Sequence, residues 1–470
     1  MLSGAARWWA LTVLCLGSLM IVLDTTIVNV ALPSIRSDLH FTETSLVWVV
    51  NAYMLTYAGF LLLGGRLGDV YGHRRVFLSG LVVFTLASLS CGFAHSQVAL
   101  IASRAIQGLG GAVVSAVALS LIVTMFTEHD ERARAMGFFG FIAAGGGAIG
   151  VFLGGVLTSS LDWHWVFLVN VPIGIVVFIA SLFLVPSSRR PEGRLDFGGA
   201  ILITGALVLA MYALIGGNEA GWLSLQTIGL LIGALILFAV FVALEKHIAH
   251  PLMPLDLFRK KTIVLTSLVG ILWSAAMFTW FFLSALYMQL LLHYTPLQVG
   301  LSFLPGNIIM AIFSVGLSAR AVDRWGARRP LVVGMALIAL GLALFAIAPQ
   351  EGTFLWSILP PTIALGFGAG LAFNPVLLIG MSEVPADENG LASGVLNTAF
   401  MMGGSLGLAV LASVAAFVTA QSQSLGALSA LLSGYHVAFA VGAVAAILAC
   451  MVALLLPRDS YASDSSTLAH

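Results

Sequence analysis

Charge is what this sequence has least of. Only 9% of its 470 residues are charged, against 60% hydrophobic, and its mean hydropathy is +1.06. A soluble domain carries roughly a quarter charged residues, and single soluble cores stop growing near about 250–300 residues. The surplus apolar surface therefore faces lipid. The formal net charge is +0, which provides neither a basic footprint for nucleic acid nor an acidic tail. Cysteine is scarce as well: Cys15, Cys91 and Cys450 fall inside apolar stretches without metal-ligand spacing and read as small core residues. No G-x-x-x-x-G-K-[ST] loop occurs, which excludes ATP as a direct energy source. No H-E-x-x-H or comparable set offers a metal site. The connecting segments, the longest about seventeen residues, leave no room for a catalytic or nucleotide-binding domain. No enzyme, cofactor or nucleotide partner is expected.

Long hydrophobic runs are what the sequence has in abundance. A helix needs roughly 20 apolar residues to cross a hydrocarbon core of about 30 Å. Runs of that kind occur at 8–33, 44–65, 76–95, 98–124, 135–158, 164–185, 198–217 and 227–244, and again at 262–292, 297–319, 330–349, 354–380, 392–416 and 435–456. They predict fourteen transmembrane helices. The stretch after Arg7 runs to Pro33 without an A-x-A cleavage site and reads as a retained first span. With the N-terminus in the cytoplasm, the inside segments hold all of the 20 Lys and Arg except Arg36, placed outside, and Arg104, placed within a span. A thirteen-span arrangement would scramble that alternation. The expectation is an all-α polytopic protein of the inner or plasma membrane with both termini cytoplasmic.

The chain also repeats itself. The loop after span 2 carries Asp69, Gly72, Arg74 and Arg75, and the loop after span 10 carries Asp323, Gly326, Arg328 and Arg329, all at one offset of 254 residues. One reading is a duplication; the other is generic turn chemistry with positive-inside charge. A duplication implies a six-helix bundle over 1–190, two inserted helices and a linker over 191–261, and a second six-helix bundle over 262–470. Paired repeats with a site near the midplane build many secondary transporters.

Several of these residues carry a family resemblance. Gly65-Arg-Leu-Gly-Asp69-Val-Tyr-Gly72-His-Arg74-Arg75 resembles the major facilitator loop signature. Leu23-Asp24-Thr25-Thr26-Ile27-Val28-Asn29-Val30-Ala31-Leu32-Pro33 resembles the first-span signature of the fourteen-span drug:proton antiporters, EmrB/QacA-like multidrug efflux transporters. Leu100, Arg104, Gln107, Gly108 and Gly110 are similar to the fourth-span signature of proton-coupled members, and Gly146, Gly150, Val151, Gly154 and Gly155 to the fifth-span antiporter signature, departing at Val151 where the family usually has proline. The resemblance implies the major facilitator fold. It also implies that Asp69, Gly72, Arg74 and Arg75, with Asp323, Arg328 and Arg329, form a conformational latch; anchoring by positive charge alone is the plainer alternative.

Asp24 and Arg104 are the clear ionisable residues within spans. A charged group at the bilayer centre costs at least about 2.5–3.5 kcal/mol, so such residues point to function. At about 1.5 Å per residue, Asp24 lies roughly 18 Å below the outer face and Arg104 roughly 12 Å below it. Two readings stand: Asp24 gains and loses a proton or pairs with a cationic substrate, or the two residues form a fixed structural pair joining spans 1 and 4. Asn29, Asn51, Tyr53, Tyr57, Gln107, Trp273, Trp280, Tyr287, Gln289, Asn307, Asn374 and Asn397 are candidates to line a substrate cavity, with interhelical contacts as the alternative. Gly108, Gly146, Gly150, Gly154 and Gly155 are expected at close helix crossings. The second bundle shows no mid-span acid, which favours neutral, zwitterionic or monocationic amphiphiles.

The expected function is proton-coupled export of drug-like or antibiotic amphiphiles by a monomer, with lipid, protons and the small molecule as partners. Two rivals remain at this stage: a transporter of a physiological solute or lipid on the same fold, and a non-transporting membrane sensor or scaffold.

Overall fold

In hydrocarbon each peptide group needs its hydrogen-bond partner within its own segment, and a helix provides that for a single stretch of chain. The computed structural model describes residues 4–126, 128–186, 197–248, 255–384 and 389–457, and no strand occurs among them. The expected inside charges Arg189, Arg190, Arg194 and Arg458 lie outside the described residues, as do the side chains of Arg66, Asp69 and Arg132.

The chain divides into two compact units, Met1–Ala213 with Ile228–Met253, and Leu214–Thr227 with Pro254–His470. The first contains α1 (Gly4–Leu39), α2 (Glu43–Tyr71), α3 (His73–Gly92), α4 (Gln97–Met125), α5 (His129–Ser160), the single turn α6 (Trp165–Leu168) and α7 (Asn170–Leu184). The helices α8 (Phe197–Ala220) and α9 (Leu225–His247) follow. The second contains α10 (Lys261–Leu286), α11 (Pro296–Ile312), α12 (Ser318–Trp325), α13 (Arg328–Phe345), α14 (Leu359–Met381), α15 (Asn389–Gln421) and α16 (Ala427–Leu454). Short π-helical turns at Tyr287–Leu291, Phe313–Leu317 and Phe354–Ile358 extend or join them.

Among the described residues, 11 helical segments are long and apolar enough to cross a membrane. Three further apolar helical stretches, Ile149–Ser160, Ile201–Leu214 and Pro296–Ile312, are shorter. The protein is thus an all-helical multi-pass membrane protein. One boundary needs correction: the first span was expected to stop at Pro33, but α1 runs through that proline to Leu39. A proline within a helix removes one backbone bond, a loss that packed membrane helices tolerate.

Each unit repeats the other's internal packing. In the first, α1 packs on α4, α5 and α7, α2 on α4, and α3 on α4 and α7; in the second, α10 packs on α14, α15 and α16, α11 on α14, and α13 on α14 and α16. The close approaches match residue by residue. A Cβ added to Gly110 would lie 2.6 Å from the Phe84 nitrogen and 3.0 Å from the Gly80 oxygen, and one added to Gly368 would lie 2.6 Å from the Gly334 oxygen and 2.8 Å from the Ile338 nitrogen. Gly80 and Gly334, like Phe84 and Ile338, stand 254 residues apart, the spacing of the two loops. At the α1–α5 and α10–α15 crossings, Gly146 and Gly150 lie against Leu19 and Leu23, and Gly403 and Gly407 against Ile271 and Ala275.

The two loop glycines also share a conformation. Gly72, between α2 and α3, has φ 92°, and Gly326, after α12, has φ 74°. Such backbone costs a residue with a Cβ on the order of 1–3 kcal/mol. Gly72→Ala and Gly326→Ala are therefore each expected to lower the unfolding free energy by about that amount, read as a lowered unfolding midpoint in detergent.

Candidate functional site: a buried ion pair and its amide clamp

Burying a carboxylate demands that every lone pair facing the protein find a donor. Asp24 on α1 and Arg104 on α4 are both 0% exposed, and the donors to the carboxylate come from α4 and α7. Arg104 Nη1 donates to Asp24 Oδ2 at 2.5 Å and to Gln107 Oε1 at 2.7 Å. Gln107 lies three residues after Arg104, hence on the same face of α4, and its Nε2 donates to Asp24 Oδ1 at 2.8 Å. Asn170, the first residue of α7, donates to the same oxygen at 2.9 Å. Both amides also donate to Ser88 Oγ on α3, at 3.0 and 3.1 Å, and Ser88 donates in turn to the Phe167 carbonyl at 2.9 Å.

The guanidinium is held from its other side. Arg104 Nε donates to the Val49 carbonyl of α2 at 2.9 Å. Its central carbon lies 4.4 Å from the centre of the Tyr53 ring and 5.6 Å from that of Phe167, within the range where an aromatic face attracts a cation. Cys91 Sγ lies 3.7 Å from Gln107 Oε1. The hydrogen bonds that Asp24 accepts from Arg104, Gln107 and Asn170 all come from N–H groups, which favour negative charge on the carboxylate. On the Asn170 amide that clamps it, Oδ1 is buried and has no partner among the described residues.

The expected cavity residues divide accordingly. Tyr53 and Gln107 join the pair. Tyr57 stacks on Tyr53 with centroids 5.9 Å apart. Asn29 donates to the Thr25 and Thr26 carbonyls of its own helix, and Asn51 to Met211 Sδ at 3.2 Å, so neither reaches the pair. In the second unit, Trp273 packs on Phe373 and Phe400, and Trp280 on Phe281 and Phe303. Tyr287 donates to the Pro349 carbonyl at 2.6 Å, and Asn374 to that of Ser314. Gln289 and Asn397 are half-buried. Asn307 is fully buried, and neither atom of its amide has a partner among the described residues.

The repeat makes the site's asymmetry explicit. The α1–α10 register that pairs Leu23 with Ala275 places Ala276 opposite Asp24, and the α4–α14 register that pairs Gly110 with Gly368 places Thr362 and Leu365 opposite Arg104 and Gln107. Among the described residues the charged cluster exists in one copy.

The loop residues are less connected. Asp69 lies in the last turns of α2, its side chain outside the described set. Arg74 donates to the Leu182 carbonyl at the end of α7. Arg75, Asp323 and Arg329 are exposed and Arg328 half-buried; among the described residues none of these four forms an ion pair. Of the glycines, Gly108 lies against the Tyr53 carbonyl and Thr56, Gly154 lies against the Ile27 carbonyl, and Gly155 is buried on α5.

Sequence reasoning did not single out Ser88 or Asn170. Each is a polar residue in an apolar run, a signal that was available. Nothing in the run itself says whether such a residue turns toward a charge or toward its own helix, as Asn29 does.

The Major Facilitator Superfamily profile matches residues 14–408 of the chain. The chain is 41% identical over 410 residues to the cephamycin export protein CmcT of Amycolatopsis lactamdurans, covering 86% of this chain and 84% of that protein. It is 35% identical over 472 residues to the puromycin resistance protein pur8 of Streptomyces alboniger, covering 98% and 93%. It is 37% identical over 402 residues to the multidrug resistance protein Stp of Mycobacterium tuberculosis, covering 85% and 74%.

Proposed function

The chain belongs to the Major Facilitator Superfamily, a transporter and not an enzyme, and on that premise we propose that it exports drug-like amphiphiles across the plasma membrane in exchange for protons. One observation carries the reading: a fully buried carboxylate, clamped by an arginine and two amides, in a chain that resembles export and resistance proteins over more than four fifths of its length. Asp24 is the proton carrier and Arg104 its counter-charge; release of the clamp accompanies proton uptake. Fourteen spans, with both termini cytoplasmic, form two six-helix bundles over 1–190 and 262–470 with two inserted helices over 191–261, working as a monomer by alternating access. The loop charges Asp69, Arg74 and Arg75, with Asp323, Arg328 and Arg329, act as the latch between states.

Supply of energy is sufficient at one proton per cycle. For neutral or zwitterionic cargo one net charge crosses, and at 100 mV that releases about 2.3 kcal/mol, enough to hold a gradient of roughly fiftyfold; singly positive cargo makes the exchange electroneutral and draws on the pH gradient alone. The absence of an acid opposite Asp24 in the second repeat, where Ala276 stands, supports cargo that is neutral, zwitterionic or singly positive.

Expression in an efflux-deficient bacterial host, with a compound panel that includes a cephamycin and puromycin, tests the proposal. Resistance to at least one class is expected to rise by up to about fiftyfold and to vanish on addition of a protonophore. A panel without any shift, or a shift that a protonophore leaves intact, overturns it.

A further inference from the structure

Two grooves outside the charged cluster share one design. The first, of about 380 Å³, runs between α2, α3 and α4 and is walled by Leu67, Val83, Leu109 and Val113, with Tyr71 and Arg75 at one end. The second, of about 320 Å³, lies in the other unit along α13, with Leu371 and Val333 as walls and Trp325 and Arg329 at its end. Tyr71 and Trp325 are 254 residues apart, and so are Arg75 and Arg329 and also Ser79 and Val333. Both aromatic side chains are 54% exposed. Each repeat thus carries an aromatic ring and an arginine beside an apolar trough, within the loop motif that also recurs at Gly72 and Gly326 and at Arg74 and Arg328.

The chemistry of each groove points to one kind of occupant. The volumes fall at the lower end of ligand pockets, about 300–1,000 Å³, while the walls are apolar apart from Ser79, whose hydroxyl donates to the Val76 carbonyl of its own helix. Among the described residues neither Arg75 nor Arg329 has an ion-pair partner. Both sit in the first turn of a helix, α3 and α13, where the helix dipole adds to their positive field. A free guanidinium presents a planar fork suited to a phosphate, and Tyr and Trp settle at the level of lipid headgroups. Basic pockets between membrane helices take anionic headgroups in the same manner.

We propose that each groove holds one anionic phospholipid, its phosphate on Arg75 or Arg329 and an acyl chain along the apolar walls. The two sites are copies made by the duplication, one per unit. They concern the membrane and not the cargo; Arg75 and Arg329 also belong to the proposed latch, and a count of bound lipids tests the sites without reference to transport. Free phosphate shares the headgroup chemistry but leaves the trough empty, and a zwitterionic lipid fills the trough but answers the arginine weakly.

Native mass spectrometry of the full chain, exchanged into one detergent with dioleoyl phosphatidylglycerol, tests this directly. The unsubstituted protein is expected to retain two more phosphatidylglycerol molecules than the Arg75→Gln/Arg329→Gln double variant, and each single variant to lose one. Dioleoyl phosphatidylcholine should show no such difference, and inorganic phosphate at equal concentration should displace neither lipid. Both arginines are exposed, so the unfolding midpoints of the variants should match. Ser79→Trp and Val333→Trp, which obstruct the troughs and keep the charges, should each cost one lipid as well. Equal retention by the double variant, equal retention of phosphatidylcholine, displacement by phosphate, or full retention by the two tryptophan variants overturns the proposal.

Discussion

Vesicles reconstituted with an Asp24→Asn variant lose proton-driven efflux, by about 100-fold or more, equivalent to roughly 2.7 kcal/mol in the barrier. The cause is specific to the clamp. Asp24 accepts from Arg104, Gln107 and Asn170, and an asparagine there brings its own amide donor into a ring of donors while offering no proton to exchange. It also leaves a guanidinium that is 0% exposed without its counter-charge. Breaking a buried pair from one side costs about 3–5 kcal/mol, so lost flux could reflect a weakened fold instead of lost coupling.

The double variant Asp24→Asn/Arg104→Gln separates these outcomes. With both charges gone, neither partner is left buried and uncompensated, and the unfolding midpoint is expected to recover above that of either single variant. Proton-driven efflux stays absent, while exchange of labelled substrate across the vesicle without any gradient persists. Retained pumping by Asp24→Asn would remove Asp24 from the coupling step. A double variant no more stable than the singles would show that the pair is not an energetic unit. On the proposed mechanism, the amide of Asn170 offers a physical route for coupling. Its Oδ1 lacks a partner among the described residues, and turning that amide over would present an acceptor to a protonated Asp24 in place of a donor.

The pair was legible in the sequence because charge inside an apolar run is costly, and because residue counting put Asp24 and Arg104 at similar depths. Their clamp was not. Ser88 and Asn170 look in the sequence like Asn29, yet Asn29 spends its donors on its own helix whereas they close the ring around Asp24. The repeat was legible in its loops, where Asp69-x-x-Gly72-x-Arg74-Arg75 recurs at a constant spacing that Gly80 and Gly334 continue into α3 and α13. Elsewhere the spacing drifts: Leu23 pairs with Ala275 at 252 residues, Gly150 with Gly407 at 257 and Gly110 with Gly368 at 258. A search at one offset therefore passes over the helix crossings, which become visible once the contacts align them. The expected stop at Pro33 failed for a different reason, since a proline's local preference yields to packing around a helix that continues to Leu39.

Gly150→Ala should cost stability and coupling together. Its built Cβ would lie 2.9 Å from the Leu23 carbonyl oxygen and 3.2 Å from the Leu23 Cα. Those are backbone atoms of α1, which cannot turn aside as a flexible side chain could. Overpacking of this kind costs about 1–3 kcal/mol, against a helix-propensity gain of at most about 1 kcal/mol. The net sign is therefore destabilising. The alternative to that cost is for α1 to move away from α5, and the next residue along α1 is Asp24, held 2.5 Å from Arg104. A displacement of a few tenths of an ångström there stretches a charge-assisted bond whose strength depends on short range. Gly229→Ala on α9 provides the control, because nothing lies within 4 Å of its built Cβ; there the propensity gain acts alone and the midpoint should rise. Measured side by side in one detergent, the two substitutions are expected to shift the unfolding midpoint in opposite directions, and only Gly150→Ala should slow proton-driven efflux. Equal shifts in both would mean that the α1–α5 crossing has slack to absorb a methyl group, and that the position of Asp24 does not depend on the glycine behind it.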